Sequence, residues 1–148
     1  MTPGGTGRRQ RTFSVATRAV YTFTGFPELQ VRHVYLHHDG YPTGAAWRFA
    51  EAFREAPEPA SFLLAFLSTQ PKAEPIQSPE FSADAEYRYR VELVPDAEPH
   101  LLVQCWRRIP GCDSWNPRCG PVPIAVFIQR FLPGDASELS SSVLPDGP

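Results

Sequence analysis

This sequence has one lysine, few cysteines and no long apolar run. The last two features argue against a disulfide-rich scaffold and against a membrane-spanning helix. Lys72 is the only lysine, so almost all basic charge is arginine, whose planar fork suits carboxylates and phosphates. The longest apolar run, residues 60–67, is far shorter than the ~20 residues of a membrane-spanning helix. No apolar segment follows the arginines near the start, as it would in a signal peptide. We therefore expect a cytoplasmic protein that has no membrane partner.

The 3 cysteines are too few, and odd in number, for a secreted disulfide scaffold. Cys105, Cys112 and Cys119 follow one another without the C-x2-4-C knuckle of a zinc site. A disulfide between Cys112 and Cys119 fits the spacing, but a reducing cytosol disfavours it. Sequence motifs such as CxxC, GxSxG, the P-loop and GxGxxG are absent as well. We predict no metal and no cofactor, with Cys105 in the core and the other two cysteines in loops.

The chain has 148 residues, of which 42% are hydrophobic and 20% charged, which suits one globular domain. A net charge of -2 gives no general attraction to nucleic acid. Residues 1–14 are rich in Gly, Thr and Arg without apolar periodicity, and residues 133–148 are poor in core residues. We predict a flexible basic arm, one domain at 15–132 and a flexible tail.

Hydrophobic spacing predicts seven elements within that domain. Strict alternation in EYRYRVELV is the clearest strand signal, and apolar residues at i, i+3, i+4 and i+7 after Thr43, a candidate N-cap, predict a helix. We favour a helix over a strand for the last element, PIAVFIQRFL. The predicted order is strands at 18–24 and 29–37, helices at 44–55 and 60–69, strands in EYRYRVELV and HLLVQCWRRI, and the final helix. This β-β-α-α-β-β-α order predicts an α+β fold with a mainly antiparallel four-stranded sheet and two or three helices on one face.

The segment HHDGYPTG, from His37 to Gly44, is the most unusual stretch. Histidine beside aspartate is a pattern that can perform acid–base chemistry or bind a metal. However, His33 and His37 would stand about 13 Å apart along a strand, too far to share one metal ion. Gly40 with φ > 0, Pro42 and an Asx-turn at Asp39 would explain the same residues as a strand-to-helix corner. Anion binding by His37, His38 and the start of the helix is a further alternative.

The pattern Y-x-H-H-D-G-Y-P-x-G, from Tyr35 to Gly44, resembles a motif of small, poorly characterised bacterial and bacteriophage proteins. In that motif a strand leads through DGYP into a helix. The resemblance covers about twenty residues and implies a shared fold, with no activity attached. It also suggests a phage-associated or mobile-element-associated accessory role.

Arginine and tryptophan concentrate after the fourth strand, in WRRIPGCDSWNPRCGP. Both residue types are enriched at the energetic centres of protein interfaces. We predict a protein-binding surface there, and its candidate residues are Trp106, Arg107, Arg108, Trp115 and Arg118. Arg88 and Arg90 share one face of the preceding strand and are the candidate residues for an alternative nucleic-acid surface.

We therefore expect a non-enzymatic protein that acts through contacts with a protein partner. The first alternative is a hydrolase or nuclease that uses His37, His38 and Asp39, assisted by His33 or a distant carboxylate. The second alternative is a nucleic-acid-binding module built on Arg88 and Arg90.

Overall fold

The computed structural model describes residues 17–82 and 84–132. They form a six-stranded sheet with three α-helices, which confirms the predicted α+β class. The predicted arm at 1–14 and the predicted tail at 133–148 lie outside the described residues. The strands are β1 (Ala19–Phe26), β2 (Leu29–Leu36), β3 (Glu74–Ile76), β4 (Tyr87–Leu93), β5 (Leu101–Arg108) and β6 (Trp115–Pro123). The helices are α1 (Pro42–Glu55), α2 (Phe62–Thr69) and α3 (Ile124–Phe131), and short 3-10 turns occupy Pro59–Ser61 and Pro79–Phe81.

The strand order is β3-β2-β1-β4-β5-β6, and β1 runs parallel to β4 while the other neighbours are antiparallel. The prediction of four strands is therefore wrong, since β3 and β6 were missed. β3 has 3 residues and includes Pro75, whereas β6 includes Pro117 and Pro121. Proline is depleted in strands because it cannot donate to the ladder, so these two segments have no strand signal in the sequence.

One face of the sheet is covered by the helices and packed with aromatic rings. Tyr21 of β1 stacks on Tyr89 of β4 with ring centroids 5.0 Å apart. Phe49 of α1 contacts both tyrosines and also reaches Phe127 of α3, at 5.6 Å between centroids. We call this side the packed face. Its other fully or almost fully buried residues include Ala19, Phe23, Val34, Ala46, Phe62, Leu63, Phe66, Val91, Val103, Cys105 and Ile128.

The helix boundaries partly follow the sequence prediction. α1 begins at Pro42 with Tyr41 as N-cap, so the prediction of Thr43 as N-cap is wrong; proline fits the first turn, where its missing N–H has no helical acceptor. α2 is apolar nearly all round, and although Phe62, Leu63 and Phe66 are buried, Leu64 is 52% exposed. The last element, α3, is a helix, as favoured. No helix among the described residues is long and apolar enough to cross a bilayer.

Candidate binding surface

The face of the sheet opposite the packed face, which we call the open face, carries most of the predicted arginines and tryptophans. In antiparallel pairs, directly opposed residues point to the same side. Arg88 lies opposite Trp106, and Arg108 lies opposite Trp115. The strand register thus places residues of the predicted protein-binding set and of the predicted nucleic-acid set on the same face. We call the group Arg88, Arg90, Trp106, Arg108 and Trp115 the Arg–Trp surface.

Two guanidinium groups of this surface lie against one indole ring. The guanidinium carbon of Arg88 is 4.1 Å from the centroid of the Trp115 ring, and that of Arg108 is 5.1 Å away. Arg108 is further fixed because its Nε donates to the carbonyl oxygen of Ala85 at 2.9 Å. Trp115 itself packs on a small apolar cluster that contains Val20 and Tyr35. Both arginines are therefore held in a defined orientation rather than left as mobile surface chains.

The pKa of Arg88 is lowered mainly by burial at this surface. Burial lowers the pKa of Arg88, the nearby charge of Arg108 lowers it further, and Glu80 acts in the opposite direction. The Nε of Arg88 is buried and has no hydrogen-bond partner among the described residues. Asp113 is fully exposed and reaches Arg108 at 3.6 Å. Such an exposed ion pair contributes little to stability, so the positive potential of the two arginines stays largely available to a ligand.

Two cavities flank Trp115 and share Arg88 as a wall. The first, of about 300 Å³, is lined by Glu80, Ser82, Arg88, Arg108, Asp113 and Trp115. The second, of about 280 Å³, extends across the sheet to Thr22 and His33, and its walls also include Arg90 and Trp106. Thr22 and His33 are joined by a 2.8 Å hydrogen bond between Oγ1 and Nδ1. The Arg–Trp surface is therefore a groove rather than a flat sheet face.

The remaining two residues of the predicted protein-binding set lie on the other side of the sheet. Arg107 is opposite Tyr87, and its guanidinium carbon is 5.6 Å from the Tyr87 ring centroid. Burial raises the pKa of Tyr87, and the charges of Arg107 and Arg118 oppose that rise. Tyr41 packs edge-on against the same Tyr87 ring at 5.8 Å. Strand alternation thus separates Arg107 from the Arg–Trp surface, whereas Arg118 lies at the irregular register between Pro117 and Cys119, where its charge acts on Tyr87.

The HHDGYPTG corner is held together by Arg48 of α1. Its terminal nitrogens donate to the carbonyl oxygens of His38 and Asp39, at 2.6 and 2.7 Å, and to the Tyr21 hydroxyl at 3.2 Å. The Nε of Arg48 donates to Gln70 at 3.3 Å. Arg48 was not among the residues predicted for a site, because one arginine in an amphipathic helix has no local signature. Its position one to two turns after the corner is the one clue that the sequence offers.

Backbone geometry explains the glycines of the corner. Asp39, not Gly40, has the positive φ, at 53°, so the prediction for Gly40 is wrong. Gly40 instead allows close approach of the backbone: its N–H donates to the carbonyl oxygen of Thr17 at 3.0 Å, and its carbonyl oxygen accepts a hydrogen bond from the Tyr89 hydroxyl at 2.5 Å. A Cβ at Gly44 would lie 2.1 Å from the carbonyl oxygen of Asp39.

The side chains of the alternative catalytic set, His37, His38 and Asp39 with His33, do not share one environment. His37 pairs with Glu74 of β3, at 3.1 Å between Nε2 and Oε2, and its ring packs on Tyr35 at 4.6 Å between centroids. His38 and Asp39 are exposed. His33 lies on the open face with Thr22, and burial lowers its pKa. Among the described residues, no group of three or more His, Cys, Asp or Glu side chains is placed to hold a metal ion.

The cysteines differ in their surroundings. Cys105 and Cys119 are buried opposite each other on β5 and β6, and Cys112 is exposed; all three are free thiols. The prediction of a loop position for Cys119 is therefore wrong, whereas Cys105 is a core residue as expected. Burial raises the pKa of Cys105 to about 12, so its thiol stays protonated at neutral pH.

Comparisons of the chain with protein-family models, with curated proteins and with solved structures find no match. The resemblance based on Tyr35 to Gly44 therefore stays a hypothesis that depends on those residues alone.

Proposed function

We propose that this protein is a non-enzymatic binding protein that contacts an acidic segment of a protein partner through the Arg–Trp surface. The observation that supports this proposal most directly is the position of Arg88 and Arg108 against Trp115. Stacking fixes the guanidinium planes, so less side-chain entropy is lost when their N–H groups bind a carboxylate.

The charge of the groove favours an anionic ligand. Arg88, Arg90 and Arg108 line the two cavities, and the acidic residues that line them, Glu80 and Asp113, are exposed. A carboxylate from a partner can displace Asp113 from Arg108, because this exposed ion pair is weak. Bidentate hydrogen bonds to the arginines would then supply both affinity and orientation.

A protein ligand fits this surface better than a nucleic acid. Single-stranded nucleic acids depend on aromatic rings with open faces for base stacking. At Trp115 two guanidinium groups already lie over the ring. Glu86 and Glu92 are exposed on the same side of the sheet and would repel phosphates. Nucleic-acid binding through Arg88 and Arg90 therefore has less support.

The edges of the sheet favour docking on its face. A partner strand can join a sheet where a long edge offers its N–H groups. Here the edge strands are β3, with Pro75, and β6, with Pro117 and Pro121. Proline interrupts both rows of donors. The groove on the open face is therefore a better contact surface for a partner than either edge of the sheet.

The corner gives less support to a hydrolase or nuclease. His37 is paired with Glu74 rather than with Asp39. The carbonyl groups of His38 and Asp39 serve as acceptors for Arg48, which accounts for the conformation of the corner without a reaction.

The test is a fluorescence anisotropy titration with two labelled probes, a glutamate-rich peptide and a single-stranded oligothymidylate. We expect the peptide to bind more tightly than the oligonucleotide. The double variant Arg88→Gln with Arg108→Gln should weaken peptide binding at least about tenfold, as loss of two charge-assisted contacts implies. The matched control is Arg54→Gln, an exposed arginine of α1, which should bind as wild type.

Two results would overturn the proposal. Equal peptide affinity of the double variant and wild type would show that the groove is not the site. Tighter binding of the oligonucleotide, with an affinity that falls steeply with salt, would assign the surface to nucleic acid instead.

A further inference from the structure

A third cavity, larger than the two at the Arg–Trp surface, opens at the HHDGYPTG corner, between the end of β2, the end of α2 and β3. Its volume is about 640 Å³, within the usual range for small-molecule sites. It shares no lining residue with the cavities of the Arg–Trp surface. The apolar part of its wall is formed by Leu36, Pro71, Ala73 and Pro75. The polar part is formed by His37, His38, Arg48, Gln70, Lys72 and Glu74.

Two of the polar side chains are fixed before any ligand arrives. Arg48 makes four hydrogen bonds, to His38, Asp39, Tyr21 and Gln70. The Nε2 of Gln70 donates to Glu51 at 3.0 Å, so its amide is held from both ends. Buttressed polar groups beside an apolar wall are the usual arrangement of a site that orients a small ligand.

The charges around the cavity determine which ligand it suits. Arg48 and Lys72 are cationic, whereas Glu74, the only acid that lines the cavity, is engaged with His37 at 3.1 Å. An anionic group is therefore favoured near Arg48 and Lys72, and the prolines can pack against an apolar body. We propose that this corner cavity binds a small organic anion, a carboxylate or a phosphate monoester attached to an apolar group.

The sequence provides a direct reporter of this site, because Lys72 is the only lysine. Reductive methylation with ¹³C-formaldehyde labels its amine and the α-amino group of the chain, and the second signal is the internal reference. The probes are benzoate, phenyl phosphate, inorganic phosphate and benzylamine. We expect benzoate or phenyl phosphate to shift the Lys72 signal saturably, inorganic phosphate to bind more weakly, and benzylamine to leave the signal unchanged.

Calorimetry on unlabelled variants gives the second readout. Lys72→Gln should weaken binding of the best anion severalfold, and Glu74→Gln should strengthen it, because it removes a negative charge from the wall. The matched control is Glu55→Gln, an exposed acid at the end of α1 that does not line the cavity. A Lys72 signal that no anion saturates, or that benzylamine shifts equally, would overturn the proposal. Unchanged affinity in both Lys72→Gln and Glu74→Gln would overturn it as well. Comparison of benzoate with phenyl phosphate shows which anion the cavity prefers.

Discussion

The two faces of the sheet are built from the same strands, yet they have different physical roles. On the packed face, Tyr21, Tyr89 and Phe49 contact one another and are essentially excluded from water. On the open face, Arg88 and Arg108 lie on a partly exposed Trp115. Burial of aromatic surface dominates stability, whereas stacked but accessible charges contribute little to it. A strand with a period of two can therefore combine a core residue and a ligand-binding residue at successive positions.

The largest effect on stability is expected from Phe49→Ala on the packed face. Phe49 contacts five other rings, Tyr21, Phe62, Phe66, Tyr89 and Phe127. Removing it should lower the free energy of unfolding by about 3–5 kcal/mol, measured by chemical denaturation. Trp47→Ala, on the exposed side of the same helix, is the control and should cost far less. Similar losses in the two variants would show that the packed face is not the main source of stability.

The next largest effect is expected from Arg48→Met, where the corner meets the packed face. The variant keeps much of the aliphatic stem but removes the donors to the carbonyls of His38 and Asp39. Unfolding free energy should fall by about 2–3 kcal/mol, since hydrogen bonds from a charged group are lost. Thermal denaturation of Arg48→Met, with Arg54→Met as the control variant, measures this loss of stability. Equal stability of the two variants would mean that Arg48 does not hold the corner.

A smaller effect on stability is expected from Arg88→Gln on the open face. The stacking contact with Trp115 at 4.1 Å is partly exposed, so its loss should cost less than about 1 kcal/mol. Chemical denaturation measures stability, and the anisotropy titration measures peptide binding on the same sample. A loss of several kcal/mol would indicate that Arg88 is mainly a structural residue and would weaken the contrast between the faces.

The smallest effect is expected from the protonation of His33. Burial lowers the pKa of His33 from 6.5, so the unfolded chain binds a proton more readily than the folded protein does. Stability is then highest above the unfolded pKa and decreases as the pH falls below about 6.5 toward the lower, folded pKa. Denaturation at about pH 5 and pH 7.5 should show a smaller difference for His33→Gln than for wild type. A larger difference in the variant would contradict this assignment.

Much of the fold could be predicted because local patterns agree with burial. In β4, Tyr87, Tyr89 and Val91 are buried as their alternation predicts, and α1 buries the expected Ala46 and Phe49. β6 could not be predicted, because its proline-rich sequence has no strand preference and depends on pairing with β5. The parallel pairing of β1 with β4 likewise has no local signal.

The residues of the Arg–Trp surface were predicted as two separate candidate sets, one of which also contained Arg107 and Arg118, and their role in binding stays a prediction. Alternation along WRR could have indicated that Arg107 faces away from Trp106 and Arg108. The contact of Arg88 with Trp115 required the register of β4, β5 and β6, which pairs residues distant in sequence. The bonds of Arg48 with the corner depend on where α1 packs, so its nearness to the corner in the sequence is the one signal that points to it.

The central place of β1 has a consequence for the order in which the protein folds. β1 can pair with β2 as soon as both have been synthesised, but its other neighbour, β4, follows only after both α1 and α2. Contacts between distant segments close a long loop and slow folding. During synthesis the unpaired edge of the β1–β2 hairpin therefore waits for β4. Until then, the backbone N–H and C=O groups along that edge of β1 are open to a molecular chaperone or to a neighbouring nascent chain.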